Sequence, residues 1–155
     1  MLQHFRKQRG QKGFTLIELL VVIAIIGILA TIVLVSLNTA RQKARDVRRI
    51  SDMRQVALAL EMFYDDNTST GYPGASASNQ WNVAGTGLVA SLEPDYMTSV
   101  PDDPGTGTYN YWVAADGQSY VLGVLLEAAN QALDDDLDGS VLGFACDDDV
   151  YCISP

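Results

Sequence analysis

The sequence is poor in the residues on which most catalytic and nucleic-acid sites depend. No Lys or Arg follows Arg54, so the remaining two thirds of the 155-residue chain carry no such cation. Binding to nucleic acid or to an anionic membrane surface needs cations that meet phosphates, and we expect neither from this part of the chain. The single histidine, His4, lies near the N-terminus. Most hydrolase sites and histidine-ligated zinc sites are therefore excluded.

Cysteine is also scarce. Cys146 and Cys152 are the two cysteines, separated by five residues in an Asp-rich segment near the C-terminus. This spacing fits neither a redox Cys-x-x-Cys motif nor a four-ligand metal site. We expect a structural disulfide in an exported protein, with two reduced thiols as the alternative.

A basic leader and a long apolar run occupy the N-terminal part. Residues 1–13 form the leader, which ends at Gly13, and residues 14–37 form an apolar run in which Glu18 is the single charge. At ~1.5 Å per residue this run makes a helix of ~36 Å, which crosses a bilayer. Basic residues stay in the cytoplasm, so we expect an N-in, C-out chain in the inner (cytoplasmic) membrane. The leader cations are Arg6, Lys7, Arg9 and Lys12.

Gly13 precedes the apolar run, whereas a secretory cleavage site follows it, so cleavage after Gly13 leaves the membrane helix attached. A carboxylate inside an apolar segment costs about 3 kcal/mol unless it is neutral or paired. Cleavage creates an ammonium group at Phe14, four residues from Glu18, that can pair with it in the same or a neighbouring copy. A protonated Glu18 near the membrane interface is the alternative.

Residues 12–18, Lys-Gly-Phe-Thr-Leu-Ile-Glu, and the apolar run resemble the class III signal of type IV pilins and pseudopilins. The resemblance implies that a prepilin peptidase cuts between Gly13 and Phe14 and methylates the new N-terminal Phe14. It also implies that Glu18 recruits subunits into a filament by pairing with a neighbour's N-terminal amine. Many type IVa pilins have a proline late in the apolar segment, but this sequence has none between Phe14 and Tyr72.

The helix is expected to continue beyond the membrane over residues 38–64, because neither Pro nor Gly interrupts this segment and apolar residues recur every three to four positions. The expected inner face contains Val47, Ile50, Met53, Val56, Ala57, Leu60, Phe63 and Tyr64. The opposite face is expected to meet solvent or the acidic heads of adjacent subunits. Its charged residues are Arg41, Lys43, Arg45, Asp46, Arg48, Arg49, Asp52 and Arg54.

Residues 65–155 are expected to form a globular head. Residues 65–108 are rich in turn-forming residues, with a short helix or turn expected within residues 88–96. Two aromatic and β-branched runs, residues 109–114 and 119–126, flank an Asp-Gly pair and predict a β-hairpin. This hairpin also resembles the C-terminal sheet of pilins, which implies an α+β fold: a small antiparallel sheet packed on the long N-terminal helix.

Residues 134–139 read Asp-Asp-Asp-Leu-Asp-Gly, in which the alternate carboxylates of Asp134, Asp136 and Asp138 suit a Ca²⁺ ion. A complete EF-hand is excluded because Ala145 stands where that motif has a bidentate Glu. A solvated acidic surface is the alternative. The missing oxygens are expected from Asp147, Asp148 or Asp149.

The sequence therefore predicts a structural subunit and not an enzyme: a type IV pilin, processed after Gly13 and packed into an extracellular filament. Its expected partners are copies of itself, minor pilins, the prepilin peptidase and an inner-membrane assembly platform. One alternative is a pseudopilin of a type II secretion system, which builds a periplasmic filament. A membrane-anchored, calcium-dependent adhesin is another. Hydrolysis by two carboxylates is the least favoured hypothesis, because nothing marks a raised-pKa acid.

Overall fold

The structure, a computed structural model, describes residues 13–74, 81 and 87–155, so the leader lies outside the described residues except for Gly13. The described chain divides into two units, the first ending at Asn38 and the second beginning at Thr39. The helices are α1 (Leu16–Asp66) and α2 (Leu88–Leu92), with a 3-10 turn at Gln131–Leu133. The strands are β1 (Tyr109–Val113), β2 (Tyr120–Leu125), β3 (Gly139–Val141), β4 (Phe144–Cys146) and β5 (Val150–Ile153).

The first unit contains the N-terminal part of α1, and every residue from Gly13 to Asn38 is exposed. Among the described residues, α1 is the one helix long and apolar enough to cross a membrane. The hydroxyl of Thr31, which lies within this apolar stretch, finds its hydrogen-bond partner inside the helix. Its Oγ1 donates to the Gly27 carbonyl oxygen at 2.8 Å. Such internal bonding is what a segment surrounded by lipid requires.

The second unit is an antiparallel sheet packed on the later part of α1, which confirms the predicted α+β fold. The sheet order is β1-β2-β5, with Tyr111 opposite Leu122 and Leu122 opposite Ile153. Side chains alternate along a strand, so one face of the sheet meets the helix. The core between them contains Met53, Val56 and Leu60 from α1 and Tyr109, Tyr111, Val113, Tyr120, Leu122 and Val124 from β1 and β2.

The other face of the sheet carries a second, smaller core. Val121 packs there with the two cysteines, and Trp112 and Phe144 lie against them. Phe144 comes from the β3–β4 hairpin and covers Gly123, where a Cβ atom would lie 2.2 Å from the Phe144 ring. Because both of its faces are covered, β2 is buried from Tyr120 to Val124.

The predicted hairpin is confirmed, and its turn is held against the chain that follows α1. Ala114 N donates to the Ser119 carbonyl oxygen at 2.8 Å, and Tyr72 N donates to the Gly117 carbonyl oxygen at 2.8 Å. Gly71 and Gly117 have positive φ angles of 78° and 68°. A Cβ on Gly71 would lie 2.2 Å from the Gly117 oxygen, so a larger residue has no room there.

The prediction for the two faces of α1 was partly wrong. Val47 was expected inside but is 63% exposed. Asp46, Arg49 and Asp52 were expected outside but are buried. The reason is a set of acidic and phenolic partners supplied by the head, which turns the charged positions inward.

Candidate functional site

The first turn of α1 contains a reciprocal hydrogen-bonded cap formed by Thr15 and Glu18. Thr15 N and Thr15 Oγ1 each donate to Glu18 Oε2 at 2.8 Å. In return, Glu18 N donates to Thr15 Oγ1 at 3.2 Å. The N–H groups at a helix start have no partner within the helix, and this capping box satisfies two of them. Glu18 is thereby held at the positive end of the helix dipole, next to the predicted cleavage site.

Glu18 was predicted as a charge partner, and its role as a helix cap was missed. The signal was available, because residues 15–18 read Thr-Leu-Ile-Glu, which is the Ser/Thr-x-x-Glu pattern of a capping box. Gly13 and Phe14 lie just before the cap. Both are exposed, and Phe14 is 85% exposed. The predicted cleavage bond therefore precedes the first helical turn and is accessible.

The first unit exposes far more apolar surface than a soluble monomer does. From Phe14 to Leu37, seventeen large apolar side chains are 42% to 85% exposed. The apolar surface of these side chains together exceeds the largest apolar patch usually found on a soluble monomer, which is about 300–600 Å². Lipid, and later other helices, are the environments in which such a helix is stable.

The second unit contains a buried charged cluster centred on Arg49. The Arg49 guanidinium donates from Nε to Asp103 Oδ2 at 2.6 Å and from Nη2 to Asp103 Oδ1 at 2.9 Å. Its Nη1 donates to Asp46 Oδ1 at 2.8 Å and to Glu127 Oε1 at 2.7 Å. The bidentate contact with Asp103 has the planar geometry that favours Arg over Lys. Arg49 thus ties α1 to the loop before β1 and to the segment after β2.

The remaining hydrogen-bond capacity of the cluster is also used. Asp46 accepts from Glu127 N and Ala128 N, each at 3.0 Å. Asp103 accepts from Gly105 N at 2.7 Å and from Gly107 N at 3.0 Å. Hydrogen bonds from Arg49 lower the pKa of Asp103 below its usual value. Buried charges are tolerated when they are paired and fully hydrogen-bonded, which is the case here.

Glu127 joins a second arginine to the cluster. Arg45 Nε donates to Glu127 Oε1 at 2.7 Å, and Arg45 Nη2 donates to Glu127 Oε2. The hydrogen bonds from Arg45, followed by those from Arg49, lower the pKa of Glu127 to about 2. Two of the arginines predicted to meet solvent or other subunits are therefore used within their own chain.

Another carboxylate of α1, Asp52, is paired with a phenol from the sheet. Tyr109 Oη donates to Asp52 Oδ2 at 2.8 Å. Burial and this hydrogen bond raise the pKa of Tyr109, so the tyrosine remains the donor. Asp52 is thereby satisfied inside the head, which explains its burial.

Cys146 and Cys152 form a disulfide, with the two sulfur atoms 2.12 Å apart and the two Cα atoms 5.9 Å apart. The bond joins the end of β4 to β5 and lies in the smaller core with Val121. It closes the loop that contains Asp147, Asp148 and Asp149, all of which are exposed.

The carboxylates predicted to bind calcium do not converge in this structure. Asp136 Oδ2 accepts from Cys152 N at 2.7 Å, and burial raises the pKa of Asp136. Asp138 lines a concavity with the loop at residues 147–149, whereas Asp136 lines a different one with Arg54. In the described part of the chain, which includes all these aspartates, no three His, Cys, Asp or Glu residues form a metal-holding group. Calcium binding by Asp134, Asp136 and Asp138 therefore stays a prediction.

The described residues thus define an anchored protein: an exposed apolar helix with a capped start and an acidic α+β head. A family model described as "Prokaryotic N-terminal methylation motif" matches residues 8–34. The chain is 32% identical to the type II secretion system core protein G of Vibrio cholerae over 117 residues, which is 72% of this chain and 77% of that protein. It is also 32% identical to core protein G of Klebsiella michiganensis over 107 residues, covering 66% and 74%.

A pilus protein is similar over a shorter stretch. The type IV wide pilus major component PilA4 of Thermus thermophilus is 46% identical over 61 residues, which is 39% of this chain and 47% of that protein. No solved structure matches the chain significantly. The chain belongs to the family of type IV pilins and type II secretion pseudopilins.

Proposed function

We propose that this chain is a structural subunit of a type IV pilus. The observation that carries the proposal is the apolar segment from Phe14 to Leu37, whose large side chains are 42% to 85% exposed, joined to a separately packed head. Such a helix is stable in a bilayer as a single span and in a filament when it packs against copies of itself. The proposal assigns no catalytic role to the chain.

Processing and membrane topology are part of the proposal. Prepilin peptidase cuts after Gly13 and methylates Phe14, and the match of residues 8–34 to the N-terminal methylation family supports this step. The four cations of the leader keep the N-terminus in the cytoplasm, and the cation-free head is exported. Related minor pilins and an assembly platform in the inner membrane are the remaining proposed partners.

Glu18 has two states in this account. Before assembly, Thr15 occupies Glu18 Oε2 through the capping box. In the filament, the amine of Phe14 from a neighbouring copy pairs with the same carboxylate, and a charged partner binds a carboxylate more strongly than a neutral hydroxyl does. The exchange gives a driving force for adding a subunit.

A second candidate function is favoured by how far the similarity extends. The core protein G relatives from Vibrio cholerae and Klebsiella michiganensis match 72% and 66% of this chain, whereas the match to the pilus protein covers 39%. A secretion pseudopilin would use the same helix and Glu18 in a short periplasmic filament.

Deletion of the chain distinguishes the two functions. Loss of surface fibres in electron micrographs, with unchanged secreted proteins in the medium, is the result expected for a pilus subunit. Retention of exoproteins in the periplasm, with surface fibres unchanged, would replace the pilus by the secretion system. Complementation with the unaltered chain is the control.

An adhesin that depends on calcium is not needed to account for these features. Calcium binding remains a separate proposal for the acidic loops, in which Asp136 Oδ2 accepts a hydrogen bond from Cys152 N. The filament proposal does not depend on it.

A further inference from the structure

One face of the later part of α1 is not covered by the head. An apolar line of exposed side chains runs along the middle of this face, formed by Val47, Leu58 and Met62. These positions recur at helical spacing and lie on one side of the helix. A groove runs along this side, lined by Val47, Leu58, Arg54 and Asn130.

Four cations flank this apolar line. Helical spacing puts Arg41 and Arg48 on one side of it and Lys43 and Arg54 on the other. Arg48 lies 3.7 Å from Asp52 and remains 63% exposed. In the part of the chain that the structure describes, no ion pair within 4.0 Å involves Arg41, Lys43 or Arg54. We call this surface, from Arg41 to Met62, the basic face.

A surface of matching character lies on the head of the same chain. Leu125, at the end of β2, is 58% exposed. It shares a concavity with Asp138, Asp147, Asp148 and Asp149. We call these five residues the acidic surface. Because no Lys or Arg follows Arg54, the rest of the head has no such cation with which to neutralise it.

We propose that the acidic surface of one copy docks on the basic face of a second copy, with Leu125 entering the groove beside Val47 and Leu58. The two surfaces complement each other in charge and in the apolar residue at each centre, and this complementarity fixes the register of the contact. The inference rests on the proposed filament function and names the partner surface within it.

The contact is heterologous, because the two surfaces are different patches of one chain. A heterologous contact does not close as a symmetric dimer does, and it continues from copy to copy into an open helical filament when the rotation between copies does not close a ring. The opposite charges of the two surfaces remain partly exposed, so added salt screens their attraction and weakens the contact. The head therefore adds its own polymer contact to that of the apolar helix.

The test exchanges the charges of the two surfaces in the full chain in cells. Lys43→Glu with Arg54→Glu replaces two of the four cations of the basic face by carboxylates, and Asp147→Lys with Asp148→Lys replaces two of the four carboxylates of the acidic surface by cations. Each double variant is expected to lower the yield of sheared filaments about tenfold or more, because the altered surface loses its net charge and the replaced side chains repel their former partners. The chain that carries all four changes is expected to recover most of the yield.

The control variant carries Asp95→Lys and Asp102→Lys, two exposed positions outside both surfaces, and is expected to assemble normally. Equal amounts of processed chain in the membrane show that each variant folds and is cut. Unchanged yield in both double variants, or no recovery in the fourfold variant, would overturn the contact while leaving the filament function intact. Absence of the unaltered chain from every filament preparation would instead overturn the proposed function.

Cross-linking in intact cells detects the proposed contact between two copies, whether the filament is extracellular or periplasmic. Copies with Leu58→Cys are produced together with copies with Leu125→Cys and treated with a bismaleimide. The native cysteines are bonded to each other, so the introduced thiols are the reactive ones. A mixed dimer is expected for this pair and not for Leu58→Cys with Asp95→Cys. No mixed dimer from the first pair would overturn the proposal.

Discussion

Replacing Arg49 by methionine should destabilise the head more than any other single arginine replacement on α1. Methionine keeps much of the apolar stem of arginine and removes the guanidinium. The change removes four hydrogen bonds from three carboxylates, two from Asp103, one from Asp46 and one from Glu127, together with the positive charge that these carboxylates share. It leaves Asp46 and Asp103 buried without a cation.

The expected loss follows from the partners that remain. Removing one member of a buried ion pair costs about 3–5 kcal/mol. Asp46 and Asp103 each keep two backbone N–H donors, so the value should lie near the lower end, about 3 kcal/mol. A domain of this size has a free energy of unfolding of about 5–15 kcal/mol, so the loss takes a large share of it.

Urea unfolding of the full chain in detergent micelles measures this loss. Fluorescence of Trp81 and Trp112 follows the head, because both tryptophans lie in the second unit. Arg41→Met is the matched control and should stay within about 0.5 kcal/mol of the wild type, because Arg41 is exposed. A loss of less than about 1 kcal/mol for Arg49→Met would refute the role assigned to the cluster.

The same cluster predicts a pH dependence. The arginines lower the pKa of Asp103, and they lower the pKa of Glu127 from 4.5 to about 2. A carboxyl with a lowered folded-state pKa contributes stability above its unfolded pKa and loses it as pH falls through the folded one. Wild-type stability should therefore fall between pH 4.5 and about pH 2. Arg49→Met should show a shallower fall, and an equal slope in the two proteins would contradict the assignment.

Three further predictions concern processing, assembly and calcium. Gly13→Ala should leave an uncut, longer precursor in the membrane, as seen by immunoblot. Glu18→Ala should be cut normally yet give few or no sheared filaments, because the carboxylate that pairs with a neighbour's amine is gone. Calcium at a hundred times its Kd should stabilise the head by about 2.7 kcal/mol and raise its Tm, and Asp138→Asn should remove the shift.

Normal cleavage of the Gly13→Ala chain rejects the assigned cleavage site. Wild-type filament yield from Glu18→Ala removes the pairing role of that carboxylate, and Glu18→Gln is the control that separates loss of charge from loss of the cap. A Tm that is the same with chelator and with millimolar calcium returns the aspartates to a solvated acidic surface.

Local patterns in the sequence were enough to predict the main elements. The long helix follows from apolar periodicity without Pro or Gly breaks, and the hairpin follows from two aromatic runs around Asp-Gly. The structure has α1 at Leu16–Asp66, β1 at Tyr109–Val113 and β2 at Tyr120–Leu125, within two residues of the predicted limits. These features depend on neighbours in the sequence, which a single chain displays directly.

The charged cluster could not be predicted in the same way. Arg49 is buried because Asp103 and Glu127, 54 and 78 residues away, reach it from the head. Helical periodicity gives no sign of such distant partners, so the charged positions were assigned to the outer face. Strand β5 (Val150–Ile153) was missed for a similar reason. It follows an acidic loop, and it pairs with β2, which is distant from it in the sequence.

If this chain is a filament subunit cut after Gly13, fibres released from cells should contain the processed protein. The most direct test is to shear intact cells, pellet the released fibres and measure the intact mass of the protein in them. The expected result is abundant chain that begins at a methylated Phe14 and carries the Cys146–Cys152 disulfide. Fibres that lack the chain, or chain in the fibres that still carries residues 1–13, would contradict it.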